Sequence, residues 1–259
     1  MRTRMINTFC VRFAIAVLLV APIRTAGAAS LPKKITSSDG APMVLVPAGK
    51  FIMGSNSGDD SEEPRRKVYI DGFYIYKYEL TNARFRAAGM RTKENYGPKF
   101  NGSKQPVAGV TWFQARDYCA KVGKRLPSEA EWEKAARGTD GRKYPWGDSW
   151  EPDKVIWRKN SGGKPHPVGR SYNTNESPYG AVDMAGNVWE WAQDVYSPHY
   201  YIDAPTRNPK GPSSGDMRIF RGGAWSYTFA TDFRAAKRGR SIPETRVSSR
   251  GFRCAKDLN

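Results

Sequence analysis

Short apolar and aromatic runs, separated by turn residues, fill the first part of the chain. Pro47-Ala48-Gly49 divides two such runs, and Asp71-Gly72 divides two more. Runs of this length on either side of Gly-containing turns are typical of hairpin strands. The pattern therefore predicts two hairpins, in which residues 44–46 pair with 51–53 and residues 68–70 pair with 73–78.

Two later stretches begin with residues that cap a helix N-terminus. Thr81 or Asn82 predicts a short helix that runs to Ala88. Thr111 predicts a second helix, along which apolar residues recur at three-four spacing and include Cys119. Cys119 is therefore expected to face the interior.

A capping box opens a third helix at Ser128-Glu129-Ala130-Glu131, and Gly138 ends it. Beyond Tyr144 the regular pattern gives way to turn chemistry and to a stretch rich in Asn, Ser, Gly and Pro. Long loops of this kind are usually functional or held by ions. Strands are expected to return at residues 218–226, 233–236 and 251–255. We predict one α+β domain dominated by loops and short strands, with two or three short helices.

The first 28 residues have the three-part layout of a secretory signal peptide. A basic start without acids is followed by an apolar run at 13–23 and by Ala26-Gly27-Ala28. The run is too short for a comfortable membrane span. We expect cleavage after Ala28, a periplasmic or secreted protein, and no stable membrane insertion after cleavage. An uncleaved N-terminal anchor is the alternative.

Residues 29–42 are polar and show no periodicity, which predicts a flexible leader before a domain at 43–259. A second polar stretch at 55–66 predicts a solvated loop, with a calcium site as the alternative. The acidic residues of this loop are Asp59, Asp60, Glu62 and Glu63.

The charge balance is strongly basic. The chain has 42 Lys and Arg against 25 Asp and Glu, and removing the four arginines of the signal segment lowers the net charge from +17 to +13. Such a bias suggests nucleic acid as a partner, and basic and aromatic residues do interleave at 218–256. An exported protein meets little nucleic acid, so we expect none. An acidic peptide or an anionic envelope polymer fits the charge better.

Common catalytic motifs are absent from the sequence: there is no phosphate-binding loop, dinucleotide fingerprint or nucleophile elbow. His166 and His199 are the two histidines, which excludes a three-His zinc site and requires both of them for a two-His-one-carboxylate iron site. Cleavage leaves Cys119 and Cys254. Two cysteines in an exported chain favour one disulfide, and two buried free thiols are the alternative.

Six segments follow one another at compatible spacing across the mature chain. They are MVLVPAGKFIMG at 43–54, GKRLPSEAEWE at 123–133, YPWG at 144–147, DMAGNVWEW at 183–191, RGGAW at 221–225 and GFRC at 251–254. Together they resemble the formylglycine-generating enzyme family, also called the sulfatase-modifying-factor domain. The resemblance implies a variant of the C-type-lectin-like fold. It also implies an extended groove, which in active members holds a peptide of the sulfatase motif.

The resemblance further implies bonds and ligands. The family disulfide maps onto Cys119 and Cys254. The family calcium loop maps onto the Asp183 and Glu190 side chains with the Gly186 and Val188 carbonyls, a mixed oxygen set that suits calcium. The alternative is that both acids only cap loops or pair with arginines. A second family calcium site would lie near Asn160, Ser161, Gly169 and Ser171, with Gly169 where an acidic ligand is expected.

The sequence departs from the family at the active site. Active members carry two cysteines shortly after Gly-Gly-Ser-aromatic, and both hold copper(I). Counted from Gly222, those positions are Tyr227 and Asp232. Copper(I) selects sulfur over a phenol or a carboxylate. We therefore expect no copper, and no sulfatase activation by the known mechanism.

The leading hypothesis is a monomeric envelope binding or accessory protein that recognises an extended peptide or polymer. Its groove residues would be Trp225, Ser226, Tyr227, Phe229 and Arg234. The alternative is a divergent periplasmic modifying enzyme, acting in oxidative maturation of a protein or siderophore-like peptide, with Tyr227 and Asp232 as a general base or hard-metal ligand pair. Genuine cysteine-to-formylglycine conversion would require an unconventional residue in place of both cysteines.

Overall fold

Short strands and helices, joined by long loops, make up the regular part of the computed structural model. It describes residues 31–92, 96–170 and 175–258, and the signal peptide expected at 1–28 lies outside them. The chain divides into two units, Met1–Leu31 and Pro32–Asn259, and all the elements below belong to the second. The strands are β1 (Lys34–Thr36), β2 (Pro42–Val46), β3 (Gly49–Met53), β4 (Arg66–Ile70), β5 (Phe73–Tyr76), β6 (Trp189–Val195), β7 (Arg218–Arg221), β8 (Gly239–Ser241), β9 (Arg250–Gly251) and β10 (Ala255–Asp257). The helices are α1 (Asn82–Ala87), α2 (Trp112–Lys121), α3 (Glu129–Arg137) and α4 (Tyr200–Asp203).

The strands form three small sheets. The first has the order β1-β2-β5-β10, the second is the pair β3-β4, and the third has the order β8-β7-β6-β9. All pairings are antiparallel except that of β6 with β9. Helix α3 packs against β3, β6 and β7 and so joins the second and third sheets. The predicted α+β, loop-rich fold is confirmed.

The predicted hairpin strands exist, but their predicted pairing is wrong. Strand β3 pairs with β4, and β2 pairs with β5. The reason lies in β5, which is buried at all four positions. A strand buried on both faces satisfies its backbone best between two neighbours, and β5 lies between β2 and β10. Asp71-Gly72 therefore links strands of different sheets.

The residues expected to form a flexible leader belong to the domain from 34 onward. Strand β1 pairs with β2, with Lys34 opposite Val44. Asp39 then accepts hydrogen bonds from the hydroxyls of Tyr76 (2.5 Å) and Tyr118 (3.1 Å). A strand ladder and two phenol hydrogen bonds fix this segment on the core, so the domain begins well before Met43.

The three predicted helices are confirmed. Thr81 caps α1, and capping boxes open α2 at Thr111 and α3 at Ser128. Gly138 ends α3 with a φ of 73°, a backbone conformation that favours glycine. Cys119 is completely buried.

The C-terminal strands differ from the prediction. Strand β6 was not predicted from the sequence. Almost every one of its residues is buried, so it does not show the alternation of buried and exposed positions that marks a half-buried strand. The strand expected at 233–236 is wrong, because Phe233 ends a turn of 3-10 helix at Ala230–Phe233 and residues 235–236 form a turn. Residues 251–255 mostly connect β9 to β10.

A network of buried ion pairs fastens α3 to β7 and to the chain before β8. The Arg221 guanidinium donates to Glu129 (2.9 Å) and to Glu133 (2.5 Å), and Arg238 donates to Glu129 (2.8 Å). All four side chains are buried. We call these four residues the ion-pair framework.

No helix in the described ranges is long and apolar enough to span a bilayer.

Candidate functional site

A glycine turn ends β7 and starts the segment that carries the predicted groove residues. Gly222 and Gly223 have φ values of 103° and 79°, which side chains other than glycine rarely adopt. A Cβ on Gly223 would also lie 2.4 Å from the Phe233 ring. The turn therefore requires glycine here.

Three aromatic side chains follow this turn, and we call them the aromatic segment: Trp225, Tyr227 and Phe229. Trp225 is half-buried, and its ring centroid lies 5.7 Å from that of Phe100. Tyr227 is 37% exposed and meets the Trp189 ring edge-on at 5.2 Å, while Phe229 is 71% exposed. Exposed aromatic groups that are anchored at one side form a surface suited to binding apolar parts of a partner.

The other two predicted groove residues behave differently. Ser226 is half-buried between Trp225 and Tyr227. Arg234 is buried, and its guanidinium donates to both carboxylate oxygens of Glu62 at 2.6 and 2.7 Å. Its charge is thus committed to an internal ion pair. Glu62 itself is 0% exposed, so the acidic loop at 55–66 is not the fully solvated loop that was predicted.

Tyr227 and Asp232 stand where the sequence places the two family cysteines. Among the described residues, no hydrogen bond or ion pair joins their side chains. Burial raises the pKa of the Asp232 carboxyl. Each group is therefore available separately, and the structure does not build them into a hydrogen-bonded pair.

A buried arginine lies close to the aromatic segment. The guanidinium carbon of Arg250 is 3.9 Å from the centroid of the Phe220 ring and 4.4 Å from that of Trp191. Arg250 is 7% exposed, and its Nε and Nη1 have no hydrogen-bond partner in the described part of the chain. Burial lowers its pKa to about 10. Aromatic faces, and not a carboxylate, hold this cation.

Trp189 adds a second buried donor beside Arg250. Its indole Nε1 has no acceptor within the described ranges, and its ring contacts Phe220 at 5.1 Å as well as Tyr227. Sequence reasoning missed both donors. A sequence shows an arginine and a tryptophan, but whether either finds an acceptor depends on tertiary packing.

The predicted disulfide between Cys119 and Cys254 is confirmed, and the free-thiol alternative is wrong. It joins α2 to the chain just before β10. These are the cysteines of the described ranges, and Cys10 lies outside them. The described residues therefore offer no thiolate pair beside the aromatic segment.

Glu190, a predicted calcium ligand, has three donors around it. Arg253 donates to both of its oxygens at 2.6 and 2.7 Å, and Trp132 Nε1 donates at 2.8 Å. All three side chains are buried. These contacts match the alternative given in the sequence analysis, in which Glu190 pairs with an arginine.

Asp183 accepts hydrogen bonds from Gly169 N (2.6 Å) and from Asn175 Nδ2 (2.9 Å). Burial raises the pKa of its carboxyl. Gly186 donates its N–H to the Gly222 carbonyl (2.8 Å), which ties this loop to the glycine turn.

Glu79 is a buried carboxylate in this region that sequence reasoning missed. It accepts hydrogen bonds from Asn187 Nδ2 (2.7 Å) and Val188 N (3.1 Å). Burial, with the charges of Asp183 and Glu190, raises its pKa. No local motif marks Glu79, because its partners lie more than a hundred residues away.

The described residues contain no group of three or more His, Cys, Asp or Glu side chains placed to hold a metal ion. With Glu190 engaged by Arg253 and Trp132, its oxygens are not presented to a cation in this arrangement. Calcium at Asp183, Gly186, Val188 and Glu190 stays a prediction.

The residues of the second predicted calcium site make local contacts. Asn160 accepts from Trp157 N (3.0 Å) and donates to the Val155 carbonyl (2.8 Å). The Ser161 carbonyl lies 2.8 Å from His166 Nε2. Ser171 lies outside the described residues.

Comparison with known proteins places these features in context. The family model described as "Sulfatase-modifying factor enzyme 1-like domain" matches residues 28–258. The chain is 33% identical to the formylglycine-generating enzyme of Mus musculus, over 83% of this chain and 75% of that protein. It is 36% identical to the serine/threonine-protein kinase pkn1 of Chlamydia caviae, over 83% of this chain, and spans 38% of that protein's length.

The fold has a close counterpart among solved structures. Treponema denticola variable protein 1 superposes with a TM-score of 0.77 at 26% identity, over 88% of this chain and 100% of that one. The predicted C-type-lectin-like fold is confirmed.

Proposed function

The chain belongs to the family of sulfatase-modifying factor enzyme 1-like domains, and we propose that within it this protein is an exported binding protein that works without copper. It recognises an extended peptide or polymer of the cell envelope through the aromatic segment. The observation that carries the proposal is the exposure of Tyr227, which stands at one of the two positions where the resemblance places a catalytic cysteine, and of Phe229 two residues later.

The chemistry at Tyr227 and Asp232 argues against copper oxidation. Copper(I) prefers thiolates, whereas a phenol and a carboxylate are hard oxygen ligands. Cys119 and Cys254 are joined to each other in the core. A cysteine-directed oxidation at this position would therefore lack its metal ligands.

Binding by the aromatic segment follows from its exposure. Large aromatic side chains bury about 150–250 Å² each when covered, and such anchors dominate many interfaces. Phe229 has most of its surface available for this. The proposed mature chain lacks the four arginines of the signal segment, and its net charge of +13 favours an acidic ligand.

A peptide selection tests the binding proposal. A displayed library of random twelve-residue peptides is selected on the wild-type protein, and the affinity of the recovered peptides is then measured. Tyr227→Ala/Phe229→Ala should weaken binding at least tenfold. The control Ile202→Ala/Met217→Ala, which removes exposed apolar groups elsewhere, should leave it within twofold. Equal binding by wild type and the aromatic variant would contradict the proposal.

A chemical assay tests the absence of copper oxidation. The protein is loaded with copper(I) and incubated with oxygen and a cysteine peptide of the sulfatase motif, and the peptide is followed by mass spectrometry. We expect the cysteine to remain unchanged. Conversion into the aldehyde would overturn the proposal.

Export is tested by N-terminal sequencing of the protein from the producing cell. The proposed mature chain begins at Ala29, directly after the predicted cleavage point. An intact Met1 N-terminus in the cell-envelope fraction would instead support the uncleaved anchor.

A divergent modifying enzyme is the second candidate. It is favoured by Asp232, a half-buried carboxyl whose pKa burial raises, as suits a general base. Peptides recovered in the selection are incubated with wild type and with Asp232→Asn and then weighed. A mass change produced by wild type alone would establish this second function.

A further inference from the structure

A cationic cavity of about 280 Å³ opens beside the chain that follows β3. Its wall contains four cations and one carboxylate: Arg65, Arg137, Lys143, Arg234 and Asp148. Residues 54–57 also line the cavity. None of the three aromatic-segment residues is among the described residues that line it, although Arg234, one of the five predicted groove residues, does line it.

Arg137 forms the inner wall and keeps one donor free. It is buried, and it donates to the Glu133 carboxylate (2.8 Å) and to the carbonyls of Gly54 (3.0 Å), Arg142 (2.9 Å) and Gly141. A guanidinium has five N–H donors. Four of them are used, and one remains.

Arg234 is the second inner cation. Its Nη1 and Nη2 each donate to Glu62, and its Nε donates to the Thr231 carbonyl (3.2 Å). Two of its five N–H donors are left. Glu62 and Glu133 are not among the lining residues, and they hold the two inner arginines in place. Three N–H donors of these arginines have no partner within the described ranges.

Arg65 and Lys143 are the two outer cations of the wall. Arg65 and Lys143 are exposed, and in the described part of the chain their side chains make no hydrogen bond or ion pair. Arg65 Nη2 lies 2.8 Å from where a Cβ on Gly141 would be. Gly141 is also the residue whose carbonyl accepts from Arg137. Two guanidinium groups therefore meet at one glycine.

Charge within the cavity is not balanced. Asp148 is the carboxylate of the wall, and one of its oxygens accepts from Lys143 N (2.9 Å). Glu62 offsets Arg234, and Glu133 is shared between Arg137 and Arg221, so Asp148 is the one carboxylate of the wall that faces Arg65 and Lys143. Adjacent like charges repel one another unless an anion lies between them.

From this geometry we propose that the cavity binds an oxyanion, namely a phosphate, sulfate or carboxylate group. Guanidinium forks match the spacing of two oxygens on such groups. The inner arginines would supply fixed donors, and Arg65 and Lys143 would close on the anion from outside. The site is independent of the proposed function, because none of the residues it requires belongs to the aromatic segment.

Isothermal titration calorimetry tests the proposal on the full mature chain. Inorganic phosphate, sulfate and acetate are titrated separately at constant ionic strength in chloride. The test variant is Arg65→Gln/Lys143→Gln. The control is Lys50→Gln/Arg86→Gln, which removes the same charge from exposed positions outside the cavity. Circular dichroism and the thermal midpoint establish that both variants are folded.

We expect saturable binding of at least one anion by wild type and by the control. The test variant should bind at least tenfold more weakly. The anion bound most tightly identifies which of the three groups the cavity takes. Equal weakening in both variants would mean that the effect comes from the overall net charge and not from the cavity, and it would overturn the proposal. The absence of saturable binding to wild type would overturn it as well.

Discussion

Buried arginines in this molecule are held in two different ways. In the ion-pair framework, Arg221 and Arg238 are matched by Glu129 and Glu133. Next to the aromatic segment, Arg250 is matched by the faces of Trp191 and Phe220. Among the buried arginines of the described ranges, Arg250 is the one without a carboxylate partner.

This difference distinguishes the ion-pair framework, which stabilises the fold, from the region of the aromatic segment, which is proposed to bind a partner. A buried charge matched by an opposite charge and by hydrogen bonds is expensive to disturb. An arginine held by aromatic rings keeps N–H donors that have no acceptor. Burying a donor without an acceptor costs free energy. Trp189 keeps its donor next to the proposed binding surface, because its ring meets that of Tyr227, and Arg250 keeps its donors against Phe220, which Trp189 also contacts.

The largest expected effect comes from breaking the framework. Arg221→Met leaves two buried carboxylates with fewer cations, so it should lower the free energy of unfolding by about 3–5 kcal/mol. Urea denaturation with the disulfide intact measures it. Arg207→Met, which removes an exposed ion pair with Asp71, should change it by less than about 1 kcal/mol. Similar losses in both variants would contradict the distinction.

A pH series tests a buried cation that no carboxylate matches. Lys134 lies on α3, and its Nζ donates to the carbonyls of Pro47 (2.6 Å) and Gly49 (3.0 Å). Burial lowers its pKa from 10.5 to about 8. Between these values the unfolded chain binds more protons than the folded one, so stability rises with pH.

The series therefore compares wild type with Lys134→Met by urea denaturation from pH 7 to 10. The stability of wild type relative to the variant should rise across this range by about 2–3 kcal/mol, because each pH unit between the two pKa values contributes about 1.4 kcal/mol. Lys50→Met, an exposed lysine of β3, controls for the loss of one charge. A difference that is flat with pH, or that falls, would refute this prediction.

Replacing Arg250 should lower the free energy of unfolding far less than replacing Arg221 does. Arg250→Met removes cation–π contacts worth about 0.5–2 kcal/mol and also removes a buried charge that has no carboxylate partner. The two changes oppose each other, so we expect a net effect within about 1 kcal/mol by urea denaturation. If Arg250→Met lowered the free energy of unfolding as much as Arg221→Met does, Arg250 would have the same stabilising role as the ion-pair framework.

The smallest effect is expected at the surface of the aromatic segment. Phe229→Ala should alter the free energy of unfolding by no more than about 0.5 kcal/mol, because the ring is mostly exposed. The same variant should weaken binding of the selected peptides. If Phe229→Ala instead lowered the free energy of unfolding strongly and left the peptide affinity unchanged, the roles assigned to the two regions would be reversed.

Features encoded locally could be predicted from the sequence. The caps at Thr81, Thr111 and Ser128 involve residues within one helical turn, so three helices were located correctly. The family motifs fixed the fold and the disulfide. Strand pairing was not local: β5 pairs with β10 from the end of the chain, and no turn signal records that.

The candidate site was predicted only in part for the same reason. Tyr227 and Phe229 could be located by counting from the glycine pair. Glu62 looked like a loop acid, yet its partner Arg234 is 172 residues away. Arg250 looked like one basic residue among many, and its lack of a carboxylate partner emerges only when the rings of Trp191 and Phe220 surround it.

The position of β10 sets the order in which the molecule can be completed. Its residues, Ala255–Asp257, form the edge of the sheet that contains β1, β2 and β5. A ribosome delivers β1, β2 and β5 before any strand of the third sheet, and it delivers β10 after all of the other described strands. The first sheet therefore keeps one edge open during synthesis until β10 has been made. A chain that stops before β10 would leave β5 without its neighbour on that side.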